Sequence, residues 1–195
     1  MGTIITLSKP NQDGSMSLEK AVAVRRSRRR FLPQALTPEQ ISQLVWVAQG
    51  QEAGSKYRTV PSAGATYPLE LFVVTAEGLS HYLPAKHALE TLIEQDLRAD
   101  LASAAWGQGF IEDAPLTLVF AAEFARTTTH YGRRGVRYVY MEAGHAAQNV
   151  HLQAEALGLG SVAVGAFDDA SVSEVLSLPD DLDPIYMVTV GYCRK

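Results

Sequence analysis

One stretch constrains this chain more than any other. From about Val136 to Leu157 the residues read as a single long helix, with inward positions at Tyr140, Ala143, Ala147, Val150, Ala154 and Leu157. The spacing alternates steps of three and four, the period of one helix face. Gly144 and Ala146 lie beside that stripe, and small residues let a second helix approach closely. Such a face suits a core helix or a seam between two copies, and both readings stay open. Gly158-Leu159-Gly160 ends the helix, and Ser161 to Val164 follows as a buried strand.

The other elements arrange themselves around this helix. Residues 8 to 16 are turn-rich and read as an extended arm, with Ile4 to Leu7 available to pair with a sheet edge. Leu18 to Arg30 reads as a helix capped by Ser17. A second helix starts at Thr37-Pro38-Glu39-Gln40, with Thr37 as the cap and Gln40 completing a capping box. Ile41, Leu44, Val45 and Ala48 form its apolar face, and Gly50 stops it. Strands are expected at Leu69 to Thr75, Ser80 to Leu83, Leu116 to Ala122 and Ile185 to Tyr192, and helices at Leu97 to Trp106 and Ala170 to Leu176. The mixture reads as α+β. No linker divides it, so residues 1–17 are read as an arm and 18–195 as one domain.

Charge is concentrated in one place. Arg25, Arg26, Arg28, Arg29 and Arg30 fall within six residues, in a chain of net charge −4. That pattern suggests a local anion site and argues against nucleic acid as the main partner. On a helix Arg25 and Arg29 would share a face and could clamp a phosphate between them, with Ser27 adding a hydroxyl. Taken alone, the run favours a solvated cationic helix end. With 47% hydrophobic residues, no run long enough for a bilayer, no signal peptide and a single cysteine, Cys193, the expectation is an ordered cytoplasmic protein.

Several chemistries lack their signatures. Glu142 and His145 make one Glu-x-x-His, but di-iron bundles need a second copy and further glutamates. No zincin spacing, Gly-x-Ser-x-Gly elbow, Walker A loop or Gly-x-Gly-x-x-Gly turn is present, and no metal is expected. Three segments could share one ligand: the arginine cluster, the Ser62-Ala63-Gly64 loop before a strand, and the Val164-Gly165-Ala166 turn after one. A phosphorylated planar cofactor would need charge at one end, donors along a ring edge and a close backbone contact. Both loops read equally well as ordinary turns.

The chain resembles the FMN-dependent nitroreductase superfamily, and within it the dehydrogenases of the SagB and cyanobactin-oxidase type. The resemblance rests on Arg25 to Phe31, Pro61 to Glu70, Tyr138 to Gly160, Val164 to Asp168 and Val190-Gly191-Tyr192. It implies a three-layer α/β/α fold with a mixed, mainly antiparallel sheet, in an intertwined homodimer with FMN at the interface. It further implies that Arg25 and Ser27 hold the phosphate end, with Arg26 nearby, and that Arg29 lies near the pyrimidine edge. Ser62, Ala63 and Gly64 would line the ring, Gly165 with Val164 and Ala166 would face flavin N5, and Arg194 could reach the phosphate.

Two departures stand out: Ala65 occupies a position where typical nitroreductases have asparagine, and the chain stops at Lys195, where they continue into a tail that embraces the partner. The implied chemistry is hydride transfer from NAD(P)H through the flavin to an electron-poor small molecule such as a nitroaromatic or a quinone. Tyr67, His130 and Tyr131 are the candidate proton donors. Alternatives are an azoline-type peptide oxidase and a flavin-binding carrier or redox sensor. The peptide-modifying members carry a lysine–tyrosine pair where His130-Tyr131 stands here.

Overall fold

The computed structural model describes residues 2–52 and 54–194. Seven strands form one sheet: β1 (Ile4–Thr6), β2 (Leu69–Thr75), β3 (Gly78–Leu83), β4 (Ala88–Ile93), β5 (Leu116–Ala122), β6 (Gly160–Val164) and β7 (Asp183–Gly191). Their order is β1-β4-β3-β2-β5-β7-β6, and every paired neighbour runs antiparallel.

Alternation along the central strands makes the layers. Leu116, Leu118, Phe120 and Ala122 of β5 join Leu69, Leu71 and Val73 of β2 on one face of the sheet. There they pack against α2 (Pro38–Gln49) and α6 (Gly135–Ala156). Val119 and Ala121, with Phe72, Val74 and Met187, face the other way, onto α3 (Arg98–Ala104), α4 (Phe110–Asp113) and α7 (Asp169–Leu176). Successive side chains of a strand point to opposite faces, so a strand apolar throughout, like β5, must be covered on both sides. No helix among the described residues is long and apolar enough to cross a membrane.

Local signals explain most boundaries. At α2 the capping box forms: Thr37 Oγ1 accepts the Gln40 N–H, and the Gln40 side chain accepts the Thr37 N–H at 2.9 Å. Ile4 to Thr6 pairs with β4 as the sheet-edge reading expected, and the arm then crosses α2, where Gln43 binds the Asn11 backbone in both directions.

Three readings need correction. The first helix, α1, spans only Leu18–Val24, not Leu18 to Arg30. It has little to pack on, with Leu18 64% and Val22 54% exposed, and the chain beyond it pairs with the sheet instead. Arg28 N–H donates to the Ser161 carbonyl at 3.0 Å and Leu32 N–H to that of Tyr192 at 2.8 Å. Arg25 and Arg29 therefore do not share a helix face. Within α6 the inward residue is Val139, not Tyr140, which is 54% exposed and packs its ring 5.6 Å from Phe124. Finally, β4 and α5 (Phe124–Tyr131) are elements the sequence reading left unassigned. The three threonines of α5 are poor helix formers. They are held by tertiary bonds, Thr127 to Thr66 at 2.8 Å, and by the tight elbow at Gly135, where a Cβ would lie 3.0 Å from Thr128 Cα.

Candidate functional site

The first group of site residues lies at the start of β6. Ser27 bridges Ser161, and the Ser161 hydroxyl pairs with His151 Nδ1 at 2.7 Å. His151 comes from the inner face of α6, where burial, aided by the positive charge of Arg25, pushes its pKa down to about 4. A neutral imidazole leaves Arg25, half-buried at the C-cap of α1, as the charge at that corner. Glu155, one turn further along α6, accepts the Arg26 N–H at 3.3 Å and a guanidinium N–H from Arg28 at 3.5 Å. The arginines are thus not equivalent. Arg28 is paired with Glu155, Arg26 bonds the Ala23 and Arg25 carbonyls, and Arg29 sits over the Phe110 ring at 5.6 Å. The backbone N–H of Arg194 reaches the Arg30 carbonyl at 3.2 Å, which ties the C-terminal segment to the cluster, while Lys195 lies outside the described residues.

The second group is the turn at the other end of β6. Val164 is buried, whereas Gly165 and Ala166 are exposed. Gln108 holds the Ala166 carbonyl at 2.8 Å, and Asp168 caps α7 through the Ser171 N–H at 2.8 Å. The turn is fixed from both sides, and its glycine presents bare backbone. Ser161 and Gly165 are four residues apart on this strand, about 13 Å.

The third group is the Ser62 loop. Gly64, Ala65 and Tyr67 all adopt positive φ, at 61°, 52° and 47°. For the latter two this is strained backbone. Ser62 Oγ accepts the Tyr67 N–H at 2.9 Å, and the Tyr131 hydroxyl lies 2.8 Å from where a Gly64 Cβ would be. Tyr67 turns inward: its hydroxyl accepts the Arg58 N–H at 3.2 Å, and the Arg58 guanidinium stacks over its ring at 4.8 Å. Of the three candidate proton donors, Tyr67 is engaged in structure, Tyr131 faces the loop, and His130 is exposed, edge-on to Tyr131 at 5.4 Å.

Within one copy the first two groups share a strand, and the third does not join them. The Ser62 loop precedes β2, which stands three strands from β6 in the sheet, about 14 Å away. A cavity of about 960 Å³ between the arm, α1, α2 and α6 is lined by residues such as Met16, Gln43, Trp46 and Asn149, and by none of the three groups. With no guanidinium in its wall, it is poorly matched to a phosphate, and the cationic corner is the better candidate. Sequence reasoning gave no site role to His151, Glu155, Arg58 or the buried Glu142, the last weighed only as half of a Glu-x-x-His pair. Their only signal is that Glu142, His151 and Glu155 fall in phase with the buried stripe of a helix where apolar side chains are expected.

Comparison with known proteins agrees with this architecture. The sequence profile of the Nitroreductase family matches residues 22–192. A nitroreductase-like protein of Methanocaldococcus jannaschii is 40% identical over 197 residues, covering 98% of each chain. The crystal structure of a nitroreductase-like protein from Ralstonia eutropha superposes with a TM-score of 0.88 at 32% identity, over 98% of this chain and 90% of that one. The microcin B17-processing protein McbC of Escherichia coli is 29% identical over 146 residues, which span 69% of this chain and 54% of McbC. The chain belongs to the nitroreductase family. It is a flavin-dependent oxidoreductase with the antiparallel, helix-flanked sheet of that fold.

Proposed function

We propose that this protein is an FMN-dependent oxidoreductase that takes electrons from NAD(P)H and passes them to an electron-poor small molecule such as a nitroaromatic or a quinone. The observation that carries the reading is the placement of Arg25 and Ser27 at one end of β6 and the bare Gly165 turn at the other. The residues fit the group. Arg25 is half-buried beside a neutral His151, and the exposed Ser27 offers a hydroxyl, a donor set suited to a phosphate. When bound, FMN supplies reversible two-electron chemistry that no side chain here offers. In this reading Arg25, Ser27, Arg26 and Arg194 hold the phosphate end. Arg29 supplies positive charge to the ring, where Ser62, Ala63 and Gly64 donate along its edge. Gly165, with Val164 and Ala166, approaches its reactive centre, and Tyr131 or His130 holds a proton for the acceptor.

A second copy completes this site. The Ser62 loop precedes β2, three strands from β6, and in this reading the ring-lining donors come from the partner. The outer face of α6, with Tyr140 54% and Met141 53% exposed around Gly144, is the surface on which a homodimer would close. Residues 18–195 form the FMN-binding domain and residues 1–17 its arm, in a cytoplasmic protein. Mass spectrometry of the ligand released by heat tests the reading. FMN, in a protein whose yellow colour is bleached by NADH or NADPH without oxygen, is the expected result. FAD, or no flavin after growth with excess riboflavin, overturns it.

The similarity to McbC favours a second reading, an oxidase acting on the azoline rings of a modified peptide. In that reading Tyr131, whose hydroxyl lies beside Gly64, would take part, but His130 stands where those enzymes carry lysine. A carrier or sensor that binds flavin without turnover would be yellow and would not be bleached by either nicotinamide.

A further inference from the structure

Trp106 is the most exposed large apolar side chain among the described residues, at 71%. It joins none of their hydrophobic clusters. Its backbone conformation suits a smaller residue. Trp106 follows the C-cap of α3, where its N–H donates to the Ser103 carbonyl at 3.0 Å and the Gly107 N–H donates to that of Ala102 at 2.9 Å. Those two bonds define a Schellman ending, whose left-handed position is usually glycine. Here that position is Trp106, at φ 57°. A side chain there strains the backbone, and one left in water recovers little of the cost by burial. Fold stability gives no reason for a tryptophan at this place.

The same segment is tied to both parts of the proposed ring site. The Ala104 carbonyl accepts the Asp168 N–H at 3.0 Å. The Gln108 side chain donates to the Ala105 carbonyl at 2.9 Å and to the Ala166 carbonyl at 2.8 Å. Bonds to the Gly165 turn therefore bracket Trp106 from both sides in the chain. Two residues beyond Gln108, the Phe110 ring lies under the Arg29 guanidinium at 5.6 Å. The reading above gives that turn to the reactive centre of the flavin and Arg29 to its ring.

We infer that Trp106 is a specificity-determining residue that stacks its indole on the electron acceptor, an assignment that rests on the flavin reading above. The ligand class is a flat, electron-poor aromatic ring, whose face complements the electron-rich face of an indole. The indole gives up neither electron nor proton. It holds the acceptor ring beside the turn, and the strain at its backbone is the cost of presenting a large aromatic surface there.

The test uses the FMN-loaded wild type, Trp106→Gly and Trp106→Phe, each reduced with an equivalent of dithionite in the absence of oxygen. Reoxidation is followed at the flavin absorbance band with menadione, which can stack, and with ferricyanide, which cannot. Loss of one aromatic pair should raise the menadione concentration for half-maximal rate about twofold to tenfold in Trp106→Gly. The ferricyanide rate should not change, and Trp106→Phe should restore most of the menadione affinity. Glycine relieves the left-handed position, so Trp106→Gly should melt no lower than the wild type and up to about 4 °C higher. A residue kept only for the fold would move the melting temperature down. Wild-type half-saturation by menadione in Trp106→Gly, equal losses with both acceptors, or a lower melting temperature overturns the assignment while leaving the flavin site intact. So does sedimentation of Trp106→Gly as a monomer where the wild type is a dimer, since the indole would then be an interface residue. A wild type that binds no flavin overturns the flavin reading and this assignment together.

Discussion

Replacing Arg25 by alanine is the sharpest probe of the anion corner. Five arginines crowd residues 25 to 30, yet their surroundings predict very different losses. Arg28 is already paired with Glu155 at 3.5 Å, and its side chain is 39% exposed. A screened, half-neutralised charge of that kind contributes about 1 kcal/mol or less. Arg30 is exposed and belongs with it. Arg25 is half-buried, and its field acts on a buried imidazole. Truncating one member of a desolvated, charge-assisted pair costs about 2–5 kcal/mol, so Arg25→Ala should raise the Kd for FMN by a factor between about 30 and 4,000. Calorimetric titration of the apoprotein measures this directly. Riboflavin, which lacks the phosphate, is the control. Its affinity should be nearly the same for Arg25→Ala and the wild type, because only the phosphate has lost its partner. Equal losses for Arg25→Ala, Arg28→Ala and Arg30→Ala would show a diffuse field rather than a site. A riboflavin loss as large as the FMN loss would show that Arg25 holds the fold, not the phosphate.

Four further outcomes are expected. The FMN-loaded protein should dehydrogenate a thiazoline peptide far more slowly than it reduces quinones with NAD(P)H, because the shorter His130 loses the reach of a lysine; comparable rates in mass-spectrometric and absorbance assays would contradict this. Gly135→Val forces a side chain to within 3.0 Å of backbone at Thr128 and should cost about 1–3 kcal/mol, read as a melting temperature lower by roughly 2–12 °C. His151, with its folded pKa at about 4, is protonated first in the unfolded chain, so apoprotein stability should decline as pH drops below the ordinary histidine range toward 4; a His151→Gln protein should lack that component of the melting curve. Ala65→Asn places a residue tolerant of left-handed backbone at φ 52° and should raise the melting temperature, whereas a fall would mean that the loop is not strained there.

What the sequence revealed depended on how far each signal is local. The capping box at Thr37 and the strands at Leu69–Thr75 and Leu116–Ala122 were legible because their cues lie within a few residues of one another. The end of α1 was not. Nothing in the run from Arg25 to Arg30 announces that its backbone will find Ser161 and Tyr192, more than a hundred residues away. Only the first position of the α6 face was misplaced, because Tyr140 and Val139 are both apolar and only the rim contact with Phe124 decides which turns outward. At the candidate site, the arginine cluster, the Ser62 loop and the Gly165 turn were visible as motifs. Their buried supports, Glu142, His151, Glu155 and Arg58, were not, since polar residues in an apolar helix stripe declare a role only when their partners are known.

The strain in the Ser62 loop fits that division. Left-handed backbone at Ala65 and Tyr67 costs of order 1 kcal/mol or more at each residue, and a surface loop under no other demand would relax it. Here it is held by several bonds at once: the Tyr67 N–H to Ser62, the Tyr67 hydroxyl with Arg58, Thr66 with Thr127, and Arg126 with the Tyr67 carbonyl. Those partners lie in the preceding loop and on α5, next to the N-terminal half of α6. The anion corner is built on its C-terminal half, and Glu142 and His151 stand nine residues apart on it, a rise of about 13.5 Å. One helix therefore backs both the charged corner and the strained loop, and in the proposed dimer its outer face would meet a second copy. In the proposed dimer the loop of each copy would meet the strand edge of the other. In that arrangement the strain has a use, because it presents backbone donors across the seam rather than into the copy that carries them.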